Sequence, residues 1–150
     1  MDGGGEVSRG YHLVEDGEWA GWREWRTDPF ETQSGPFYMR QEADGSMRCA
    51  FRAEQKHMNG GGFMHGGCMM TFADYALFAI AQPVLGEGHA VTVSFSSDFV
   101  GPAHVGDLVE CAGEVVKAGK SMVFIRGMIT TGGEPMMSFN GVIKKVGRRL

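Results

Sequence analysis

The segment Cys68-Met69-Met70-Thr71-Phe72-Ala73-Asp74-Tyr75-Ala76-Leu77-Phe78-Ala79-Ile80-Ala81 is almost wholly apolar, and Asp74 is its single charged residue. It reads as a helix from about Gly67 to Gln82. Pro83 is expected to end it, since proline cannot continue a helix past its first turn. A helix that is apolar on nearly all sides has to be buried, and that demand constrains the rest of the chain more than any other feature. It also singles out Asp74. An ionised carboxylate buried without partners loses on the order of 2–7 kcal/mol or more of solvation, so an acid kept in this position points to chemistry.

The remaining elements are strands. Phe37 to Glu42 and Met47 to Ala53 flank Ala43-Asp44-Gly45-Ser46, and Asp-Gly between β-prone runs predicts a hairpin. After the helix the apolar period falls to two, with Val91, Val93 and Phe95 alternating with Thr92, Ser94 and Ser96. Leu108 to Val116, Met122 to Ile129 and Pro135 to about Val146 are joined by glycine-containing turns, which predicts an antiparallel meander. Two strands, one apolar helix and four strands are most simply arranged as a curved antiparallel sheet of about six strands wrapped around the helix, an α+β architecture of the hotdog type. Trp19, Trp22 and Trp25 recur at a spacing of three ahead of these elements. They mark either one face of a short helix or a packed irregular arm that caps an open side of the core.

Composition excludes several classes of function. A net charge of −4 gives no electrostatic case for nucleic acid. The N-terminus is polar and has no signal-peptide pattern, and no apolar run of transmembrane length is expected, so no membrane partner is implied. Cys49, Cys68 and Cys111 read as buried free thiols in a reducing cytoplasm. His57, His65 and Cys68 match no usual zinc spacing, so no metal is expected. The run Gly60-Gly61-Gly62-Phe63-Met64-His65 lacks the features of a phosphate loop.

Asn59-Gly60-Gly61-Gly62-Phe63-Met64-His65-Gly66-Gly67, followed by Thr71-Phe72-Ala73-Asp74, resembles the signature of the PaaI-type hotdog thioesterases, which hydrolyse acyl-CoA thioesters. Thr92-Val93-Ser94-Phe95, Phe99-Val100-Gly101-Pro102 and Gly106-Asp107 resemble the same family's third strand and the turn after it. The resemblance implies a hotdog thioesterase domain over residues 35–146, with a tail and tryptophan-rich arm over 1–34 and a basic C-terminal tail over 147–150. It implies no cofactor. It also implies that Asn59, Gly66, Asp74 and Thr92 carry or assist catalysis. Asp74 would be the base or the nucleophile, Asn59 would orient the water or the carbonyl, and Thr92 would hold the Asp74 carboxylate or its water.

Elementary geometry sharpens this picture. The N–H of Gly66 opens the helix, has no intrahelical partner and lies at the positive end of the macrodipole, where a developing oxyanion is stabilised. Asp74 is eight residues further on, or ~12 Å along the axis at ~1.5 Å per residue, and cannot reach that point. A second helix, antiparallel across a two-fold axis, would bring its own Asp74 there. A homodimer with composite sites is therefore expected, and a homotetramer is common among proteins of this resemblance.

His65 would either fix the Asn59 loop or touch the thioester, or bond a backbone carbonyl beside the helix entrance. Gly67, Met64 and Phe72 are expected to contact substrate, along a tunnel to which Met58, Met69, Met70 and Phe78 add soft apolar surface. Lys117, Lys120, Lys144, Lys145, Arg148 and Arg149 are available for the phosphates of CoA. Two other readings remain at this point. One is a hotdog hydratase or dehydratase that pairs His65 with Asp74. The other is a non-catalytic module that binds acyl-CoA.

Overall fold

The computed structural model describes residues 10–147. Its elements run β1 (Tyr11–Leu13), β2 (Arg23–Trp25), α1 (Pro29–Ser34), β3 (Tyr38–Gln41), β4 (Met47–Arg52), a 3-10 turn (Gln55–His57), α2 (Gly66–Leu85), β5 (His89–Phe99), β6 (Leu108–Ala118), β7 (Met122–Thr131) and β8 (Glu134–Val146). The strands form one sheet in the order β1-β2-β3-β4-β6-β7-β8-β5, with antiparallel neighbours throughout. The sheet wraps α2, which is the expected hotdog arrangement, with eight strands instead of about six.

The two additional strands come from the tryptophan-rich arm. The spacing of three marks neither a helix face nor an irregular cap. Val14 donates its N–H to the Trp22 carbonyl at 2.8 Å, and Tyr11 pairs with Trp25, so the arm is a hairpin that extends the sheet beyond β3. The indoles face different neighbours. Trp19 stacks on Tyr38 at 4.3 Å, the Arg40 guanidinium lies 4.4 Å over the Trp22 ring, and Trp25 meets Tyr75 of α2 edge-on. Aromatic pairs of this kind add about 0.5–1.5 kcal/mol each beyond the area they bury.

The hairpin at Asp44-Gly45 forms as its sequence predicts, with Asp44 Oδ1 accepting the Ser46 N–H at 2.9 Å. The helix departs from expectation at its end. It continues through Pro83 to Leu85 and stops at Gly86, whose φ of 60° is left-handed. Proline removes one donor to the carbonyl four residues earlier. In the exposed last turn of a helix that loss is tolerated, and the left-handed glycine sets the terminus instead.

The side of α2 facing the sheet buries Met69, Phe72, Ala73, Tyr75, Ala76, Leu77, Ala79, Ile80 and Ala81. By length and composition alone α2 is apolar enough to cross a membrane, which corrects the expectation that no run is long enough. Its apolar residues instead form the core under the sheet. One strip is not covered: Gly67, Thr71, Asp74 and Phe78 are half-buried and Met70 is 42% exposed. Beside it runs β5, the outer strand next to β8, with Val91, Val93 and Phe99 exposed.

Candidate active site

The helix entrance is built by backbone hydrogen bonds. Met58 and Met64 form an isolated bridge, and Asn59 N–H donates to the Phe63 carbonyl at 2.7 Å, closing the glycine loop. Asn59 Oδ1 accepts from the N–H groups of Gly61 and Phe63 at 2.8 and 3.1 Å. Both partners are donors, which fixes the amide with its oxygen inward and leaves the Asn59 NH2 as the group available to a ligand acceptor.

His65 is the N-cap of α2. Its backbone is extended, and its Nδ1 accepts the Gly67 N–H at 2.8 Å. Of the two expectations for His65, the structural one is closer, though the bond goes to an N–H and not to a carbonyl. A neutral imidazole that accepts at Nδ1 carries its proton on Nε2. The His65 carbonyl accepts the N–H groups of Cys68 and Met69, at 2.9 and 3.2 Å. Gly66 is left as the residue of the first turn whose N–H has no partner among the described residues. A Cβ at Gly66 would lie 3.3 Å from two ring carbons of Phe99.

Asp74 lies two turns further along, on the uncovered strip. Thr92 of β5 donates its hydroxyl to Asp74 Oδ1 at 2.6 Å, the length of a charge-assisted bond to a carboxylate. This is the contact expected between the two. A register shift in β5 between Thr92 and Ser94 falls at this point, and irregularities of this kind re-aim side chains beside functional positions. The spacing argument stands, since Asp74 and Gly66 occupy different turns of one helix.

Helix α1 closes over this region. Asp28 caps it, with Oδ1 accepting the Glu31 N–H at 3.0 Å and Pro29 in its first turn. Its far end is tied down by Lys56 Nζ donating to the Gln33 carbonyl and by His57 Nε2 donating to the Ser34 carbonyl at 2.7 Å. His57 Nδ1 accepts the Glu54 N–H, which fixes that tautomer. A cavity of about 360 Å³ under α1 is lined by Asp28, Phe30, Glu31, Gly67, Met70, Thr71 and Asp74. Burial, reinforced by the negative charges of Asp28 and Asp74, pushes the Glu31 carboxyl up to about 8. Sequence reasoning missed Glu31. Asp28-Pro29 is a readable helix start, but the docking of α1 against α2 is tertiary.

Two further cavities meet the helix entrance. One of about 590 Å³ shares Phe30, Gly67 and Thr71 with the first and adds His57, Met58, His65 and Cys68. Burial raises the Cys68 thiol to about 11, so it is no ready nucleophile. The other, of about 410 Å³, places Met64 beside Gly66, Met69 and Phe99. Of the residues expected to contact substrate, Gly67 and Met64 line these cavities. Phe72 does not: it is fully buried, edge-on to Phe51 and tilted against Phe37, and belongs to the core. Its place on the helix put it near the site in sequence, but its side chain is on the sheet side. Lys144 and Lys145 stand opposite Val91 and Ala90, beside Thr92, and Lys145 Nζ donates to the Gly119 carbonyl. Arg148 and Arg149 lie outside the described residues. Among the described residues no group of three or more His, Cys, Asp or Glu side chains could hold a metal ion.

Comparison with known proteins identifies the family and the fold. The sequence profile of the thioesterase superfamily matches residues 61–137, from the glycine loop to β8. A putative esterase of Pseudomonas aeruginosa is 37% identical over 118 residues, which are 78% of this chain and 88% of that protein. Acyl-coenzyme A thioesterase 13 of Homo sapiens is 28% identical over 99 residues, covering 63% of this chain and 68% of its own. Among solved structures, a mutant of the phenylacetic acid degradation protein PaaI from Thermus thermophilus shares the fold. It has a TM-score of 0.69 at 24% identity and covers 79% of this chain and all of the other. The chain belongs to the thioesterase superfamily.

Proposed function

We propose that this protein is an acyl-CoA thioesterase whose two sites are each completed by a second copy of the chain. The observation that carries this reading is the unpartnered Gly66 N–H at the start of α2, with the one carboxylate of the helix held by Thr92 too far away to serve it. A two-fold axis beside α2 would bring the Asp74 strip of one subunit to the entrance of the other. The uncovered strip and the exposed valines of outer strand β5 offer surface for that contact. Lys144 and Lys145, beside Thr92, would then lie on the same half of the composite site as Asp74 and face the phosphates of CoA.

In that geometry the thioester carbonyl oxygen lies against the partner subunit's Gly66 N–H, and the Asn59 NH2 orients it or the water. Water attacks the carbonyl carbon while Asp74 takes its proton. The oxyanion is held by the Gly66 N–H and the helix terminus, each such donor contributing roughly 2.7–4 kcal/mol to the transition state. The C–S bond then breaks, and the departing thiolate takes the proton back from Asp74. Free acid and CoA result.

The hydratase reading needs His65 as a base. Its Nδ1 is engaged by the Gly67 N–H, and its neutral tautomer offers only a donor at Nε2, so hydrolysis is the better fit. The direct test is thiol release from a panel of acyl-CoA substrates. Asp74→Asn lowers turnover at least about a hundredfold with the dimer intact. Unchanged turnover overturns the assignment, and hydration of an enoyl-CoA without free thiol supports the hydratase instead. Acyl-CoA binding without hydrolysis, indifferent to Asp74→Asn, supports the binding module.

A further inference from the structure

Helix α1 lies outside the residues matched by the superfamily profile, yet it supplies three of the residues around the Asp74 cavity or its cap: Asp28, Phe30 and Glu31. Resting on the thioesterase reading above, we infer that α1 is the wall of the acyl chamber and that the acids around Glu31 set which acyl groups enter it: uncharged groups do, and groups ending in a carboxylate, which meet Asp28 and Asp74, do not.

The chamber's charge is one-sided. Asp28, Glu31 and Asp74 line it and no cation does. Lys56, which touches α1, has its ammonium on the Gln33 carbonyl. A further carboxylate on the acyl group would be a like charge beside Asp28 and Asp74, in a small cavity with no cation to pair it.

The three acids differ in their partners. Asp74 accepts from Thr92, and Asp28 accepts from the Glu31 N–H. The Glu31 carboxyl has no hydrogen-bond donor among the described residues. When an acyl chain fills the chamber and displaces its water, an ionised Glu31 becomes a buried unpaired charge, the costly case, whereas a protonated one does not. Occupancy is therefore linked to the proton on Glu31. Burial and the neighbouring Asp28 and Asp74 hold that proton up to about pH 8. Cys49 and Tyr75 also face Glu31, but burial keeps both uncharged well above that pH.

The linkage is read without turnover. Calorimetric titration at pH 7 and pH 9 uses S-pentyl-CoA, a thioether that cannot be hydrolysed, and a CoA thioether of matched length ending in a carboxylate. S-pentyl-CoA should bind the wild type about tenfold more weakly at pH 9 than at pH 7, the factor full linkage gives for a carboxyl titrating near 8. Glu31→Gln should remove that loss, because the amide cannot ionise. The phosphates of CoA are common to both proteins and cancel in the comparison. The carboxylated analogue should bind the wild type at least about tenfold more weakly than S-pentyl-CoA at pH 7, and Glu31→Lys should narrow the gap. Equal pH dependence in wild type and Glu31→Gln, or equal affinity for the two analogues, overturns the inference. Because no thiol is released in this experiment, its failure is separate from failure of the hydrolytic reading, which turnover by Asp74→Asn decides.

Discussion

The two halves of α2 are built for opposite tasks. Its entrance offers donors and no charge: the Gly66 N–H, the Asn59 amide, and His65 held as a cap. Its middle offers a carboxylate and a hydroxyl that fixes it. A single helix cannot bring its own start and middle together, so in the proposed mechanism the chemistry of a thioester is split between two places that meet only when two helices lie antiparallel. On the proposed reading, the difference makes the isolated acid and the glycine loop complementary fragments of one site.

The comparison is broken most severely by removing the entrance donor. Gly66→Pro keeps a residue suited to the first helical position after an extended His65, and deletes the N–H. It should lower kcat/KM by about a hundred- to a thousandfold. Gly66→Ala is the control, placing the same Cβ against Phe99 while keeping the N–H. If both variants lose activity equally, crowding and not the donor is responsible.

The other half is sharpened at Thr92. A hydrogen bond to an ionised group contributes about 1.5–3 kcal/mol, so Thr92→Val should cost about tenfold or more in kcat while Thr92→Ser stays near wild type. A Thr92→Val enzyme with unaltered kcat would show the 2.6 Å contact to be incidental. The smallest effect expected is on stability. The Glu31 carboxyl titrates near 4.5 when unfolded and about 8 when folded, so the folded chain holds the extra proton between those values. Stability is therefore full below about 4.5 and falls as pH rises towards 8. Glu31→Gln should raise Tm by about 2–4 °C at pH 8 and by little at pH 4.5. A shift of the same size at both values would contradict the linkage.

Much of this is legible in the sequence, because the responsible signals are local. The nearly unbroken apolar run marks α2, Asp-Gly marks the β3–β4 hairpin, and arithmetic on helix rise separates Asp74 from Gly66. Thr92 was found through resemblance, since one threonine in a strand carries no signal of its own. What escaped depends on tertiary contact. The tryptophans sit in a hairpin because β3 offers an open edge to extend. Phe72 turns to the core because the sheet covers that side of α2. Glu31 matters only because α1 lies over Asp74, a contact between segments some forty residues apart in sequence.

Subunit complementation tests the central claim most directly. Asp74→Asn and Gly66→Pro are each expected to be nearly inactive as homodimers. Mixed after dissociation, half of the dimers pair one of each, and each such dimer regains one intact site of two, so activity should return to about a quarter of wild type. Heterodimers isolated with two different tags that remain as inactive as their parents would contradict a site shared between subunits.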